Sequence, residues 1–118
     1  LEPYGLKSFA AQQDSDQVST VEALIVDHGK EVSIKGKGNG LLDAFVSALS
    51  GYTGIPFTIA NYSEHAMKSG SDSAAITYIE ITNGLNGKNY IGSGVSSSVT
   101  KSSVRAVICA FNRMTNVL

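Results

Sequence analysis

The sequence predicts an α+β fold built from two strand–strand–strand–helix units with antiparallel sheets. Three observations predict it. Short runs rich in β-branched residues alternate with glycine-containing turns. The apolar period becomes helical twice, at Leu41 and again near Val104. A Gly-x-Gly triplet precedes each change, Gly36-Lys37-Gly38 and Gly92-Ser93-Gly94. The 118 residues suit one domain, with unit 1 over about residues 4–51 and unit 2 over about residues 55–116. A chain this long buries roughly two thirds of its unfolded surface, enough for a core without staples.

Taken in order, Leu6 to Ala11 is a short mixed run that reads as a first strand, and Gln12 to Gln17 as a polar loop. Val18 to Asp27 is a second strand. His28-Gly29 closes a tight hairpin with glycine at positive φ, and Val32 to Lys35 returns. Gly36-Lys37-Gly38-Asn39-Gly40 is expected to break that strand. Leu41, Leu42, Phe45, Val46 and Leu49 then form one helical stripe, with Gly51 as the stop. The second half opens at Pro56. Phe57 to Tyr62 reads as a strand, Ser63 to Ser73 as a polar loop, and Ala74 to Thr82 as a strand. Asn83 to Lys88 connects it to a returning strand, Asn89 to Val95. Ser98 or Thr100 caps a helix whose stripe is Val104, Val107, Ile108, Phe111 and Met114.

Composition excludes several classes. Nine Lys and Arg against ten Asp and Glu give a net charge of −1, with no basic stripe for nucleic acid. Lys30, Lys35 and Lys37 read as the solvated edge of a hairpin. No apolar run approaches the ~20 residues of a membrane helix. One cysteine, Cys109, permits no internal disulfide and favours a reducing, cytoplasmic compartment. The residues before Gly5 lack a basic region followed by an apolar segment, so no signal peptide is expected. The first residue is not Met, which suggests an excised or processed piece.

Catalytic chemistry finds little support. No G-x-S-x-G elbow exists, His28 sits in a turn, and His65 falls in the polar loop. Cys109 flanks the second helical stripe and reads as a small buried hydrophobe. Asp14 and Asp16 read as a solvated pair. Glu64-His65 lacks the H-E-x-x-H spacing that sets two imidazoles on one helical face, and no Cys/His spacing suggests a metal site. Neither a catalytic residue nor a metal ligand is expected. Residues 36–40 match neither G-x-x-x-x-G-K-[ST] nor G-x-G-x-x-G. They fit either a tight strand-to-helix turn or a seat for a small carboxylate at a helix start.

Those residues also carry a resemblance. Gly36-Lys37-Gly38-Asn39-Gly40-Leu41-Leu42-Asp43-Ala44 resembles the G-x-G-N-G-P-[aliphatic]-x-A stretch of the C-terminal regulatory domain of 2-isopropylmalate synthase. Tyr62-Ser63-Glu64-His65-Ala66-Met67 is similar to its Y-x-E-H-A-M segment. Tyr78-Ile79-Glu80 resembles its A-x-x-Y-V-E strand. Ile91-Gly92-Ser93-Gly94-Val95, followed by Ser103 to Arg113, resembles W-G-V-G-I and S-x-R-A-V-x-S-A-x-N-R. The four segments agree in order and spacing from about Tyr4 to Arg113. Leu41 replaces the Pro that commonly opens the first helix, and Ile91 replaces a frequent Trp.

The resemblance implies two βββα units that pair with a second copy. A homodimer also answers the problem of small sheets with an open face. It implies L-leucine as effector, feeding back on a separate (β/α)8 catalytic domain absent from these residues. That domain condenses acetyl-CoA with 2-oxoisovalerate on a divalent metal, so no cofactor is expected here and this piece is not itself an enzyme. Carried over position by position, Gly38, Asn39, Gly40, Ser97, Ser98 and Val99 offer backbone groups to the zwitterion. Leu41, Leu42, Ile59, Ala66 and Val99 line an isobutyl pocket closed by Tyr62, with Ala66 and Ser73 leaving room. The alternatives are an isoleucine-sensing domain of citramalate synthase and a ligand-free dimerisation module.

Overall fold

A computed structural model describes residues 3–14, 16–69 and 72–116, with the backbone alone at 67–69 and 72–73. It divides into two compact units, Leu1–Pro56 and Phe57–Leu118. The first runs β1 (Tyr4–Gln13), β2 (Ser19–Asp27), β3 (Lys30–Gly38) and α1 (Leu41–Thr53). The second runs β4 (Phe57–Ser69), β5 (Asp72–Asn83), β6 (Asn89–Ser96) and α2 (Val99–Thr115). Each unit is a three-stranded antiparallel meander followed by one helix, as the sequence predicts.

The first unit is organised by alternation on β2. Ser19, Val21, Ala23 and Ile25 point to one face and are buried there. α1 packs on that face, over β3 and β2, and adds Ala44, Phe45, Ala48 and Leu49 to the core. Leu41, Leu42 and Val46 of the expected stripe are half-buried. The β2–β3 connection puts both His28 (φ 50°) and Gly29 (φ 87°) in the left-handed region, the type I′ geometry that suits strand twist. At the other end of β2, Asp14 Oδ1 accepts Asp16 N–H at 2.9 Å and Val18 N–H at 3.0 Å, folding the turn on itself.

The second unit repeats the scheme. Ala75, Thr77, Ile79, Ile81 and Asn83 of β5 are buried beneath α2, which lies over β6 and β5. All five residues of the expected helical stripe are buried, and Phe111 meets Phe57 with ring centroids 5.2 Å apart. Arg105 Nη1 donates to Val95 O and Arg113 Nη1 to Ile91 O, both at 2.9 Å, so two arginines satisfy carbonyls on the free edge of β6.

Several boundaries differ from the sequence expectation. β1 runs through Gln13, and the loop that follows starts only at Asp14. β4 continues through Ser63 to Ser69, where the sequence suggests a loop. It pairs with β5 from Phe57↔Asn83 to Ser69↔Asp72, with one register shift between Ile59 and Asn61. Residues 70–71 of that expected loop lie outside the described residues. Gly51 lies inside α1, and the stop is Gly54 (φ 76°), whose N–H bonds Ser50 O.

The Gly-x-Gly triplets do not break their strands either. Gly36 and Gly38 are the last inward positions of β3, and Gly92 and Gly94 are inward positions of β6. A Cβ on Gly36 would collide with Ala48 N and Ala44 O. One on Gly92 would collide with Ala110 N and Ala106 O. Glycine is required there because helix backbone presses directly on strand backbone. Each triplet is the strand half of one contact, and an Ala-x-x-x-Ala pair on the helix is the other half.

Candidate functional site

The expected effector residues fall into one group in each unit. In the first unit Gly38 ends β3, Asn39 and Gly40 form the bend, and Leu41 and Leu42 open α1. Gly40 is the N-cap, with φ 118° and no side-chain cap. Asp43, in the first turn, reaches back so that its Oδ2 accepts Asn39 N–H at 2.9 Å. A Cβ on Gly38 would lie 2.7 Å from Ala44 N, so this strand end is pressed against the helix start. The arrangement leaves a glycine-lined helix entrance whose first amides no capping side chain occupies.

In the second unit the helix entrance is built differently. Ser98 caps α2, its Oγ accepting Lys101 N–H at 3.3 Å, and Ser96 Oγ accepts Ser98 N–H at 3.2 Å. Ser97, Ser98 and Val99 are exposed at this start. Ile59, Tyr62 and Ala66 lie on β4 on the side that carries α2, as their partners Ile81, Ile79 and Ala75 show. α2 covers β5 and β6, so this strip of the edge strand stays open and Tyr62 is 45% exposed. Ser73 pairs with Lys68 in the β4–β5 ladder, and its side chain lies outside the described residues.

Two further side chains, Glu64 and Ser103, join this group, and the sequence reading places neither of them in the site. Tyr62 Oη donates to Glu64 Oε2 at 2.8 Å and lies 3.5 Å from Ser103 Oγ in the second turn of α2. The hydroxyl of Ser103 itself donates to Val99 O at 2.9 Å. Ser103 lowers the Tyr62 phenol pKa. The Glu64 hydrogen bond, partial burial and the Glu64 charge outweigh it, and the phenol stands above its ordinary value. A strand reading of residues 63–66 supplies the missing signal, because i and i+2 on a strand share a face. Beneath this group Thr77 Oγ1 and Ser102 Oγ form a buried hydroxyl pair at 2.7 Å.

His28 and His65 take no part in these groups. His28 Nδ1 meets Asp27 Oδ1 at 2.5 Å, and Tyr52 Oη donates to Asp27 Oδ2 at 2.6 Å, tying the end of α1 to β2. His65 lies in β4 rather than in a loop and stacks edge-on against Tyr78. Cys109 is half-buried with a free thiol. Among the described residues no three His, Cys, Asp or Glu side chains gather as metal ligands. No helix among the described residues is long and apolar enough to cross a membrane.

The outer faces of the two sheets differ in character. In the first unit a shallow groove of about 590 Å³ is lined by Ala10 and Leu24 as well as by Ser8, Thr20, Glu22 and Lys35, and a 3.4 Å ion pair joins Glu22 to Lys35. In the second unit the outer face shows Tyr78, Ile91 and Val95, each more than two fifths exposed.

Residues 1–115 match the family model described as the LeuA allosteric (dimerisation) domain. This chain belongs to that family. It is 42% identical over 94 residues to a 2-isopropylmalate synthase of Mesorhizobium japonicum, covering 80% of this chain and 16% of that protein. Against the 2-isopropylmalate synthase of Mycobacterium ulcerans it is 42% identical over 113 residues, covering 96% and 19%. Against that of Mycobacterium leprae the figures are 40% over 104 residues, 88% and 16%. The chain therefore spans less than a fifth of the length of these relatives. Residues 1–115 are the domain the family model describes, and the described residues form its two three-stranded sheets and two helices with no catalytic barrel among them.

Proposed function

We propose that this LeuA domain binds L-leucine and transmits feedback inhibition to the catalytic part of a cytoplasmic 2-isopropylmalate synthase, and that it pairs with a second copy. The observation that carries this reading is the match of residues 1–115 to an allosteric and dimerisation domain. A free amino acid needs partners for its carboxylate and its ammonium and an apolar pocket for its side chain. In the first unit the proposed residues are Gly38, Asn39, Gly40, Leu41 and Leu42. In the second they are Ile59, Tyr62, Ala66, Ser73, Ser97, Ser98 and Val99. The uncapped entrance of α1 supports a role in holding the carboxylate. The open strip of β4 beside Val99 supports an apolar wall. The exposed apolar face of Tyr78, Ile91 and Val95 supports pairing, since a monomer seldom leaves such a sheet face bare. On this reading the domain needs no cofactor of its own, and the divalent metal belongs to the catalytic part.

A thermal-shift series with leucine, isoleucine, valine and norleucine tests the reading. Ligand at ~100 times its dissociation constant adds about 2.7 kcal/mol, several degrees at this size. The largest shift is expected with leucine. A largest shift with isoleucine moves the assignment to the citramalate synthase form. No shift with any of the four leaves dimerisation as the role.

A further inference from the structure

Asn-Gly occurs three times, at Asn39-Gly40, Asn83-Gly84 and Asn86-Gly87. This dipeptide is where an asparagine deamidates most readily, because glycine leaves the following amide nitrogen unshielded and its backbone free to turn. The following N–H gives up its proton to water or hydroxide, and its nitrogen attacks the Asn Cγ. The new N–Cγ bond forms as the Cγ–Nδ2 bond breaks, and the departing NH2 takes a proton back from water and leaves as ammonia. Water then opens the cyclic imide at either carbonyl, giving aspartate or isoaspartate.

The fold places the three pairs in different circumstances. The Asn83 side chain is fully buried, and its Oδ1 is held by Leu85 N–H at 2.8 Å. Burial and that bond hold its carboxamide in place. Asn86 is exposed, but its Oδ1 holds Lys88 N–H at 2.9 Å, and the attacking nitrogen, Gly87 N, donates to Asn83 O at 2.9 Å. Both reacting groups are engaged. Asn39 is exposed, and its side chain makes no hydrogen bond among the described residues. Gly40 N–H likewise has no acceptor among them, and nothing lies within 4 Å of where a Cβ on Gly40 would stand. The hydrogen bond from Asn39 N–H to Asp43 restrains neither reacting atom.

We infer that Asn39-Gly40 is the point at which this chain spontaneously deamidates, while the two Asn-Gly pairs of the second unit are protected by the fold. The product adds a carboxylate, and in the isoaspartate form a backbone methylene, at the entrance of α1.

The test is ageing of the whole protein in neutral and mildly alkaline buffer. Peptide mapping by mass spectrometry then follows the replacement of NH2 by OH at each asparagine, with a urea-unfolded sample alongside. In the unfolded sample all three sites are expected to convert together. In the folded protein Asn39 is expected to lead both others by about tenfold or more, the rate factor one hydrogen bond gives when it must break first. Conversion of Asn83 or Asn86 ahead of Asn39 or in step with it overturns the inference. So does an unchanged Asn39 once the unfolded sample has converted.

Discussion

Ala44 and Ala48 of α1 rest over Gly36 as Ala106 and Ala110 of α2 rest over Gly92. Superposing those contacts in sequence aligns the two helices residue by residue. Both then end five residues beyond the second alanine, at Thr53 and Thr115. Their starts differ. α2 has 17 residues and α1 has 13, and the difference is one added N-terminal turn. That turn brings Val99 and Ser102 and the Ser98 cap, and it lengthens β6 past its second glycine. The same alignment sets Arg105 and Arg113 of α2 opposite Asp43 and Gly51 of α1. In the second unit those positions clamp the edge of β6. In the first, Asp43 turns back to Asn39 N–H, and a Cβ on Gly51 would meet open space. A shared seat thus carries two different helix entrances, one capped and propped by hydroxyls, the other lined by glycine and open.

The shared seat predicts the largest effect. Gly36→Ala and Gly92→Ala each drive a methyl into helix backbone, which has no rotamer to yield. Overpacking of this kind costs typically 1–3 kcal/mol and occasionally more, and about 3 kcal/mol is expected at each site. Gly51→Ala is the control inside α1. It meets open space, and replacing an exposed helical glycine is expected to stabilise by about 0.5–1 kcal/mol. Urea unfolding of the three variants measures this. A cost well below 1 kcal/mol at one of the two buried glycines breaks the equivalence of the units.

The extra turn predicts an intermediate effect confined to the second unit. The Ser102 hydroxyl donates to Val99 O at 2.9 Å, so Thr77 is the donor in their 2.7 Å contact. Ser102→Ala leaves a buried Thr77 donor unpaired, and about 2 kcal/mol is expected. Thr77→Val removes the donor and leaves only a spare acceptor, so about 1 kcal/mol is expected. The double variant is expected to cost no more than Ser102→Ala alone, because both changes remove one interaction. Additive losses in the double-mutant cycle would mean that the pair is not coupled.

The asymmetry was only partly legible in the sequence. The order of elements, the His28-Gly29 hairpin and the stripe from Val104 to Met114 follow from local periodicity and turn chemistry. The lengths of β1 and β4 do not. Both are edge strands, and the half of β4 beyond Tyr62 is polar, so it carries no apolar alternation. Its pairing with β5, not its own composition, makes it a strand. The Gly-x-Gly repeat was visible, but low strand propensity made it look like a break, because the helix that requires it lies elsewhere in the sequence. At the candidate site, Gly38 to Leu42 are contiguous and stood out as a unit. Tyr62, Glu64 and Ser103 are linked only through the strand geometry of β4 and the added turn of α2.

The smallest expected effect belongs to the first unit alone, where Tyr52 near the end of α1 bonds Asp27. The Tyr52 hydrogen bond, followed by that from His28, holds the Asp27 carboxyl below its ordinary pKa. The charges of His28 and Lys30 assist, and burial opposes. The same bond to Asp27, with desolvation and the charges of Asp27 and Tyr4 adding to it, raises the Tyr52 phenol. A depressed carboxyl contributes stability above its unfolded pKa of about 3.9, and loses it as pH falls through the lower folded value. A raised phenol contributes below its unfolded pKa of about 10, and loses it as pH rises through the higher folded value. Tyr52→Phe is therefore expected to lower Tm slightly at neutral pH. The gap from the parent should close toward acid below about pH 4 and toward alkali above about pH 10. A gap that stays constant across the whole range would assign the effect to lost packing of the ring and not to the bond that ties α1 to β2.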